Sequence, residues 1–373
     1  MKKIVIHSNI VWTISNFRRD LIRDLKDRGF DVLCVAARDR FSDASETVLA
    51  ELGARFIPVE MDRKGVNPLR DLLYMMRLYR IYRREAPDLA LHFTVKPNIF
   101  GTVTAKILGI PVINTVNGLG SGMIGGGMLA RLLERLYRFS FRFSDRVLFQ
   151  NREDLAFFRE RGLLGNTPCG YVPGSGIDTA CFDGCERKRE KGEILFLMVA
   201  RLLKDKGVYE YIEACRSLRR QYPAVRCLLG GVLDPGNPSA VRQEELADWI
   251  REGIVEYLGQ TDEIREFFSR TDVVVLPSYR EGLSRVLLEA ASCRKPIVTT
   301  DVPGCRDVVI EGESGYLCAP QSAESLAEAL AKMAASASEF PKMGERGRRH
   351  VEEHFSAAMV NRIYFEAMEE VMR

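Results

Sequence analysis

Short β-branched runs alternate with amphipathic helical stretches along the whole chain, and the alternation restarts near residue 193. In the first half the expected strands are Lys3–Ser8, Asp31–Ala37, Arg55–Glu60, Leu89–Phe93, Pro111–Val116 and Arg146–Asn151. Helix-period segments such as Ser15–Arg28 and Pro68–Glu85 lie between them. In the second half the expected strands are Ile194–Ala200, Val225–Gly230, Val255–Gly259, Val273–Ser278, Pro296–Asp301 and Gly315–Ala319. Nearly continuous apolar strands separated by helices are the pattern of parallel sheets covered on both faces. The restart implies two α/β sheets, and a chain of 373 residues is long for one core. Val172–Asp178 and the charged stretch Glu186–Glu193 carry Pro, Gly and charge without periodicity, which marks a linker. The expected divisions are residues 1–175, 176–355 and a terminal helix, 356–373, free to pack on the second domain or to cross back to the first.

Composition narrows the class. Hydrophobic residues make up 46% and charged residues 28%, as in an ordinary globular chain. The longest apolar runs, such as Ile194–Ala200, are far too short to span a bilayer. Met1–His7 reads as a first strand, not as a secretory leader. Nine cysteines lack a paired framework, and no histidine or Cys-x-x-Cys joins Cys181 and Cys185 in a zinc site. Reduced thiols in a cytoplasmic protein are expected. The net charge of +3 hides an asymmetry: residues 1–175 hold 27 Lys and Arg against 18 Asp and Glu, and residues 176–373 hold 27 against 33. The basic half should face something anionic, nucleic acid or a membrane surface.

The most informative segment is Leu276–Ala290, where a strand ends at Pro277–Ser278, a glycine turn follows, and a helix starts near Ser284. Ligands of parallel α/β sheets bind just beyond the carboxyl ends of strands. The start of the new helix, at Gly282, Leu283 and Ser284, offers free N–H groups and a positive dipole end, which suits a diphosphate. Glu281 would stand at the pocket mouth, and Glu289 would reach a second part of the same ligand. Isolated glutamates in such places are usually solvated, so the pair alone proves nothing. A second loop changes the odds. The strand ending Val199-Ala200 runs into Arg201-Leu202-Leu203-Lys204-Asp205-Lys206-Gly207, so two cations again occupy a strand-to-helix junction where they can clamp phosphate oxygens.

Together the two loops resemble the donor site of the GT-B glycosyltransferases of family 4. Arg201, Lys206 and Gly207 match an Arg-x4-Lys-Gly pattern. Glu281 and Glu289 match Glu-x7-Glu within a Pro-Ser-x-x-Glu-Gly setting. Pro296–Asp307 and Gly312–Leu317 look like the same family. The resemblance implies the GT-B fold, two Rossmann-like domains with parallel sheets facing an interdomain cleft, a nucleotide-sugar donor such as a UDP-sugar, and retention of anomeric configuration. It implies that Arg201 and Lys206 hold the donor diphosphate, Glu281 contacts the transferred sugar and Glu289 the ribose. Gln260 and Thr261 would lie near the base, by position. Phe93–Gly101 and Thr115–Ser121 are similar to bacterial family-4 enzymes that build polyprenyl-diphosphate-linked oligosaccharides. Many family members place a histidine there; neither motif has one, and His92, just before the first, reads as a satisfied strand-end residue. Lys96, Asn98, Asn117 and Gly118 are the acceptor-side candidates.

Other signals are set aside. Gly120-Ser121-Gly122-Met123-Ile124-Gly125 formally fits the dinucleotide fingerprint, but the next strand lacks the acidic residue for a ribose. No P-loop is present. No two aspartates lie two apart, so the Asp-x-Asp metal clasp is absent and a site without metal or other cofactor is expected. The helices 68–85 and 128–146 combine arginines with aliphatic and aromatic residues, the composition of an anionic membrane interface. With a polyprenyl-linked acceptor, that surface is preferred to nucleic acid. The expected activity is retaining transfer of a hexose or N-acetylhexosamine, such as N-acetylgalactosamine, at the inner face of the cell membrane. A nucleotide-sugar epimerase of the same architecture and a catalytically silent partner subunit remain as alternatives.

Overall fold

The apolar runs become the strands of two parallel sheets. The computed structural model describes residues 1–62, 65, 67–119, 123, 126–185, 187, 192–261 and 263–373. These divide into one compact unit of Met1–Gly176 with Ala357–Arg373, and a second of Ile177–Ser356.

The first unit's strands are β1 (Lys3–Ile10), β2 (Asp31–Ala37), β3 (Arg55–Pro58), β4 (Leu89–Phe93), β5 (Val112–Val116), β6 (Arg146–Phe149) and β7 (Cys169–Tyr171). They lie in the order β3-β2-β1-β4-β5-β6-β7, every pair parallel. The second unit's strands are β8 (Ile194–Val199), β9 (Val225–Gly230), β10 (Glu256–Gly259), β11 (Val273–Leu276), β12 (Ile297–Thr300) and β13 (Gly315–Cys318). Their order is β10-β9-β8-β11-β12-β13, again parallel throughout. Residues of β4, β5, β11 and β12 are buried at every position, as strands covered on both faces must be. Each sheet has one switch point, where successive crossovers leave in opposite directions: between β1 and β4 in the first, between β8 and β11 in the second. Crevices for ligands open there, beyond the strands' carboxyl ends.

The covering helices of the first unit are α1 (Val11–Phe17), α2 (Arg19–Asp27), α3 (Ser42–Glu51), α4 (Pro68–Glu85), α5 (Thr102–Ile107), α6 (Gly127–Phe141) and α7 (Arg152–Glu160). Those of the second are α8 (Val208–Gln221), α9 (Gln243–Arg251), α10 (Ile264–Ser269), α11 (Arg285–Ser292), α12 (Ala323–Ala335) and α13 (Phe340–Phe355). The last, α14 (Ala357–Val371), belongs to the first unit. Its Val360, Tyr364, Phe365, Ala367 and Met368 share a core with Ile4, Ile6, Leu91 and Phe93. Asn361 Nδ2 donates to Asp24 Oδ2 at 2.8 Å, and the Arg28 guanidinium lies 3.6 Å from the centre of the Phe365 ring.

Several expectations need correction. Ser15–Arg28 is not one helix: Arg18 leaves helical geometry (φ −123°, ψ 10°) and lays its buried guanidinium 4.0 Å from the Phe93 ring centre. The helix expected over Met128–Arg146 ends at Phe141. Asp145 accepts from the Val112 N–H at 2.7 Å, and Arg146 opens β6 and pairs with Glu370 of α14, so it is not part of a helical surface. Strand β7, a bare Cys-Gly-Tyr, carries no apolar run and was not expected. Several of the expected strands run one or two residues too far at their carboxyl ends, where the chain turns away into the loops. The glycine loop 120–125, apart from Met123, most of the charged stretch 186–193, and Asp262 lie outside the described residues.

Candidate active site

In the second unit, the loops after β8 and β11 are stitched together at the switch point. The Tyr279 N–H donates to the Asp205 carbonyl at 2.9 Å, and Ser278 Oγ to the same carbonyl at 3.3 Å. Gly207 permits this approach: it adopts φ +77°, and a Cβ there would lie 2.1 Å from the Pro277 carbonyl oxygen. The seam brings Lys206 and Glu281 into a 2.6 Å ion pair, each side chain 18% exposed. Gly304 closes the floor. At φ +76° its Cβ position lies 2.7 Å from the Glu281 and Gly282 carbonyl oxygens, and its carbonyl accepts the Ser284 N–H at 2.8 Å.

Ser284 is the N-cap of α11, and its side chain makes no capping hydrogen bond. The first turn of such a helix presents its N–H groups at the positive end of the helix dipole. Glu289, one turn in, is held by Arg285 Nε at 2.9 Å. Burial pushes its carboxyl above the ordinary range, and Arg285 offsets part of that. Arg201 is separate from this pair: its side chain is 58% exposed, and the acid beside it is Asp234 at 3.8 Å, on the loop after β9. Gln260 and Thr261 follow β10, two strands from β8, roughly 10 Å away at ordinary strand spacing. Gln260 is exposed, whereas the Thr261 hydroxyl accepts from the Glu263 N–H at 3.0 Å and serves its own turn. Tyr279 and Glu210, a 2.7 Å hydrogen-bonded pair behind the loop, were missed by the sequence reading; no motif marks them.

The first unit's switch point has different chemistry. Beyond β4, Thr94 takes φ +71°, an outlier for a β-branched residue. A π-helical turn, Pro97–Gly101, follows, a rare conformation found mostly at functional sites. Lys96 Nζ donates to Asp71 Oδ1 of α4 at 2.5 Å, so its charge is already paired. Asn98 is fully buried and donates to the Thr115 carbonyl at 2.8 Å. Asn117 and Gly118 follow β5, the neighbour of β4. Beneath them runs a buried polar network that the sequence reading missed except at His92. Tyr74 Oη lies 2.9 Å from His7 Nε2, and Tyr82 Oη lies 3.2 Å from His7 Nδ1 and 2.9 Å from His92 Nε2. It continues as Asn114 Nδ2 donates to Thr102 Oγ1 at 2.8 Å and to Ser144 Oγ at 2.6 Å. Burial holds both imidazoles neutral, His7 well below its ordinary value and His92 down to about 3. The available signal was a histidine amid apolar neighbours in each of two paired strands, His7 opposite His92.

Two parallel-sheet units of this kind define the GT-B class. Residues 5–151 match the family model described as Glycosyl transferase 4-like, and residues 186–350 match Glycosyl transferases group 1. The chain belongs to the family-4 GT-B glycosyltransferases. It is 32% identical over 337 residues, 85% of each chain, to the N,N'-diacetylbacillosaminyl-diphospho-undecaprenol α-1,3-N-acetylgalactosaminyltransferase of Campylobacter jejuni. It is 25% identical over 354 residues, 92% of this chain and 90% of the other, to the capsular polysaccharide biosynthesis glycosyltransferase CapM of Staphylococcus aureus. Among solved structures, Anabaena HepE in complex with UDP and glucose has a TM-score of 0.80 at 18% identity, covering 99% of this chain and 100% of its own. Sucrose-phosphate synthase from Thermosynechococcus elongatus reaches 0.79 at 18% identity, covering 99% of each chain. The chain is thus a GT-B glycosyltransferase close to bacterial polyprenyl-linked glycan transferases.

Proposed function

We propose that the protein is a retaining transferase that moves a hexose or N-acetylhexosamine, N-acetylgalactosamine in particular, from a UDP-sugar to a polyprenyl-diphosphate-linked saccharide, without a resident metal or other cofactor. The observation that carries this is the Lys206–Glu281 ion pair beside the start of α11. The relatives support it: the Campylobacter enzyme is named for a diphospho-undecaprenol acceptor, and HepE was solved with UDP.

As the bond from sugar to diphosphate breaks, negative charge grows on the leaving phosphate and the sugar gains oxocarbenium character. Lys206, Arg201 and the α11 N–H groups stabilise that charge more in the transition state than in the ground state. Glu281, which orients Lys206 in the free protein, contacts the transferred sugar; Glu289 takes the ribose hydroxyls, and Gln260 and Thr261 lie toward the base. The acceptor hydroxyl attacks from the same face and gives its proton to the departing phosphate. Asn98, Asn117 and Gly118 belong to the acceptor side, with Lys96 behind them.

Two surfaces of the first unit fit a lipid-borne acceptor at the inner face of the cell membrane. On α4, Leu69, Leu72, Leu73 and Met76 are exposed opposite the buried Tyr74, Leu78 and Tyr82. Arg77, Arg80 and Arg84 of the same helix line a cavity with Arg38, Val59 and Met61. On α6, Met128, Leu129, Leu132 and Phe139 are exposed among arginines. No helix among the described residues is long and apolar enough to cross a membrane, so attachment would be interfacial.

The test is a panel of UDP-sugars with N,N'-diacetylbacillosaminyl-diphospho-undecaprenol, with NMR of the product's anomeric configuration and calorimetry of UDP binding. Inversion would refute the mechanism. UDP affinity unchanged in both Arg201→Ala and Lys206→Ala would refute the donor site.

A further inference from the structure

We infer that Thr94 is a specificity-determining contact for the acceptor saccharide, its hydroxyl acting with the side-chain oxygens of Asn98 and Asn117. The inference rests on the reading that the first unit holds the acceptor.

Buried polar atoms in folded proteins nearly always have a hydrogen-bond partner. Seven buried side-chain atoms among the described residues have none, and three of them are Thr94 Oγ1, Asn98 Oδ1 and Asn117 Oδ1. These three cluster. Phe93 is paired with Thr115 across β4 and β5, placing Thr94 just past one strand end and Asn117 just past the other. The Asn98 N–H donates to the Thr94 carbonyl at 3.0 Å, and its side-chain amide to the Thr115 carbonyl. The Asn98 amide N–H side faces the Tyr137 phenol as a hydrogen-bond neighbour, and its oxygen is left without a partner. All three residues adjoin the β1–β4 switch point, where the sheet order opens a crevice.

The chemistry selects the ligand. Two amide oxygens only accept hydrogen bonds, and a hydroxyl accepts or donates. The cation within the segment, Lys96, is paired with Asp71 and supplies no free charge to the cluster. A phosphate would set its own oxygens against two amide oxygens, whereas a sugar brings hydroxyls, and an N-acetyl sugar an amide N–H, to all three oxygens. Thr94 is also held at φ +71°, which a β-branched residue adopts only when its surroundings force it. A residue chosen for folding alone at that position would be glycine or asparagine.

The experiment compares Thr94→Val, Thr94→Ser, Thr94→Gly and Asn117→Ala, using UDP-N-acetylgalactosamine and N,N'-diacetylbacillosaminyl-diphospho-undecaprenol. Thr94→Val should raise the acceptor KM about fivefold to tenfold. The donor KM and UDP affinity should stay as in the parent, and serine should restore the acceptor KM. Thr94→Gly, which relieves the backbone, should raise the acceptor KM while melting no lower, so a poorly folding valine variant does not decide the matter. An unchanged acceptor KM in the glycine and valine variants, with Asn117→Ala raising it, overturns the role of Thr94 alone. No effect in any of the variants overturns the placement of the acceptor in the first unit, and with it this inference. Donor and acceptor constants moving together would show a structural role instead.

Discussion

The two switch points obey one rule of sheet order and carry opposite chemistry. At β8–β11, a lysine, a carboxylate and the positive start of a helix stand at the crevice. At β1–β4, neutral amides and a strained threonine do so, and the nearby lysine is already matched by Asp71. An anion that must leave is stabilised by preorganised positive groups. A neutral nucleophile must only be oriented, and for that directional acceptors suffice. On the proposed function, the difference teaches that topology locates a site while side-chain charge says which reactant it serves.

The comparison breaks most readily at Lys206. Lys206→Met and Glu281→Ala should each lower kcat roughly a hundredfold or more with both substrates saturating. Near-normal turnover in both would remove the charged half of the contrast. Gly207→Ala should separate the two loops, costing roughly 2 kcal/mol in urea unfolding and weakening UDP binding; unchanged UDP affinity would show that the seam is not needed.

Acid stability sharpens the other half. The native His7 and His92 have depressed pKa values, so their contribution is complete above the ordinary value of 6.5 and is lost as pH falls below it, for His92 down to about 3. The unfolded chain takes up protons in that window and the native one does not, which costs about 1.4 kcal/mol per pH unit for each imidazole. Urea midpoints measured from pH 7 to 5 should fall, and His92→Gln should flatten the slope; a flat parent profile would refute the buried neutral network. The smallest effect is expected at the surface. Replacing Arg77, Arg80 and Arg84 by Gln should shift the protein from anionic vesicles to the supernatant, by about 1 kcal/mol per charge, with UDP binding unchanged. Equal sedimentation would remove the membrane face.

Much of this was legible because parallel strands buried on both faces are written as apolar runs, so Asp31–Ala37, Leu89–Phe93 and Val225–Gly230 coincide with their expected limits. The meeting of two loops was legible too, since Lys206 and Glu281 lie in the loops that follow such runs, β8 and β11. What escaped depends on partners distant in sequence. Asp71 neutralises Lys96 from 25 residues away, Arg18 breaks a helix to reach Phe93, and Tyr82 binds two histidines that no local pattern joins. The chain's charge asymmetry said that the first unit is basic, but not that its crevice is neutral.

Helix α14 has a consequence for how the molecule is made. The side chains that finish the hydrophobic interior around Ile4, Ile6 and Leu91 come from residues 360–368, translated only after the whole of the second unit. During synthesis the amino-terminal half therefore waits with an apolar groove uncovered, while residues 177–356 have all they need to fold first. Maturation would run from the middle of the polypeptide outward, and chains that terminate early would present that groove to chaperones and to one another.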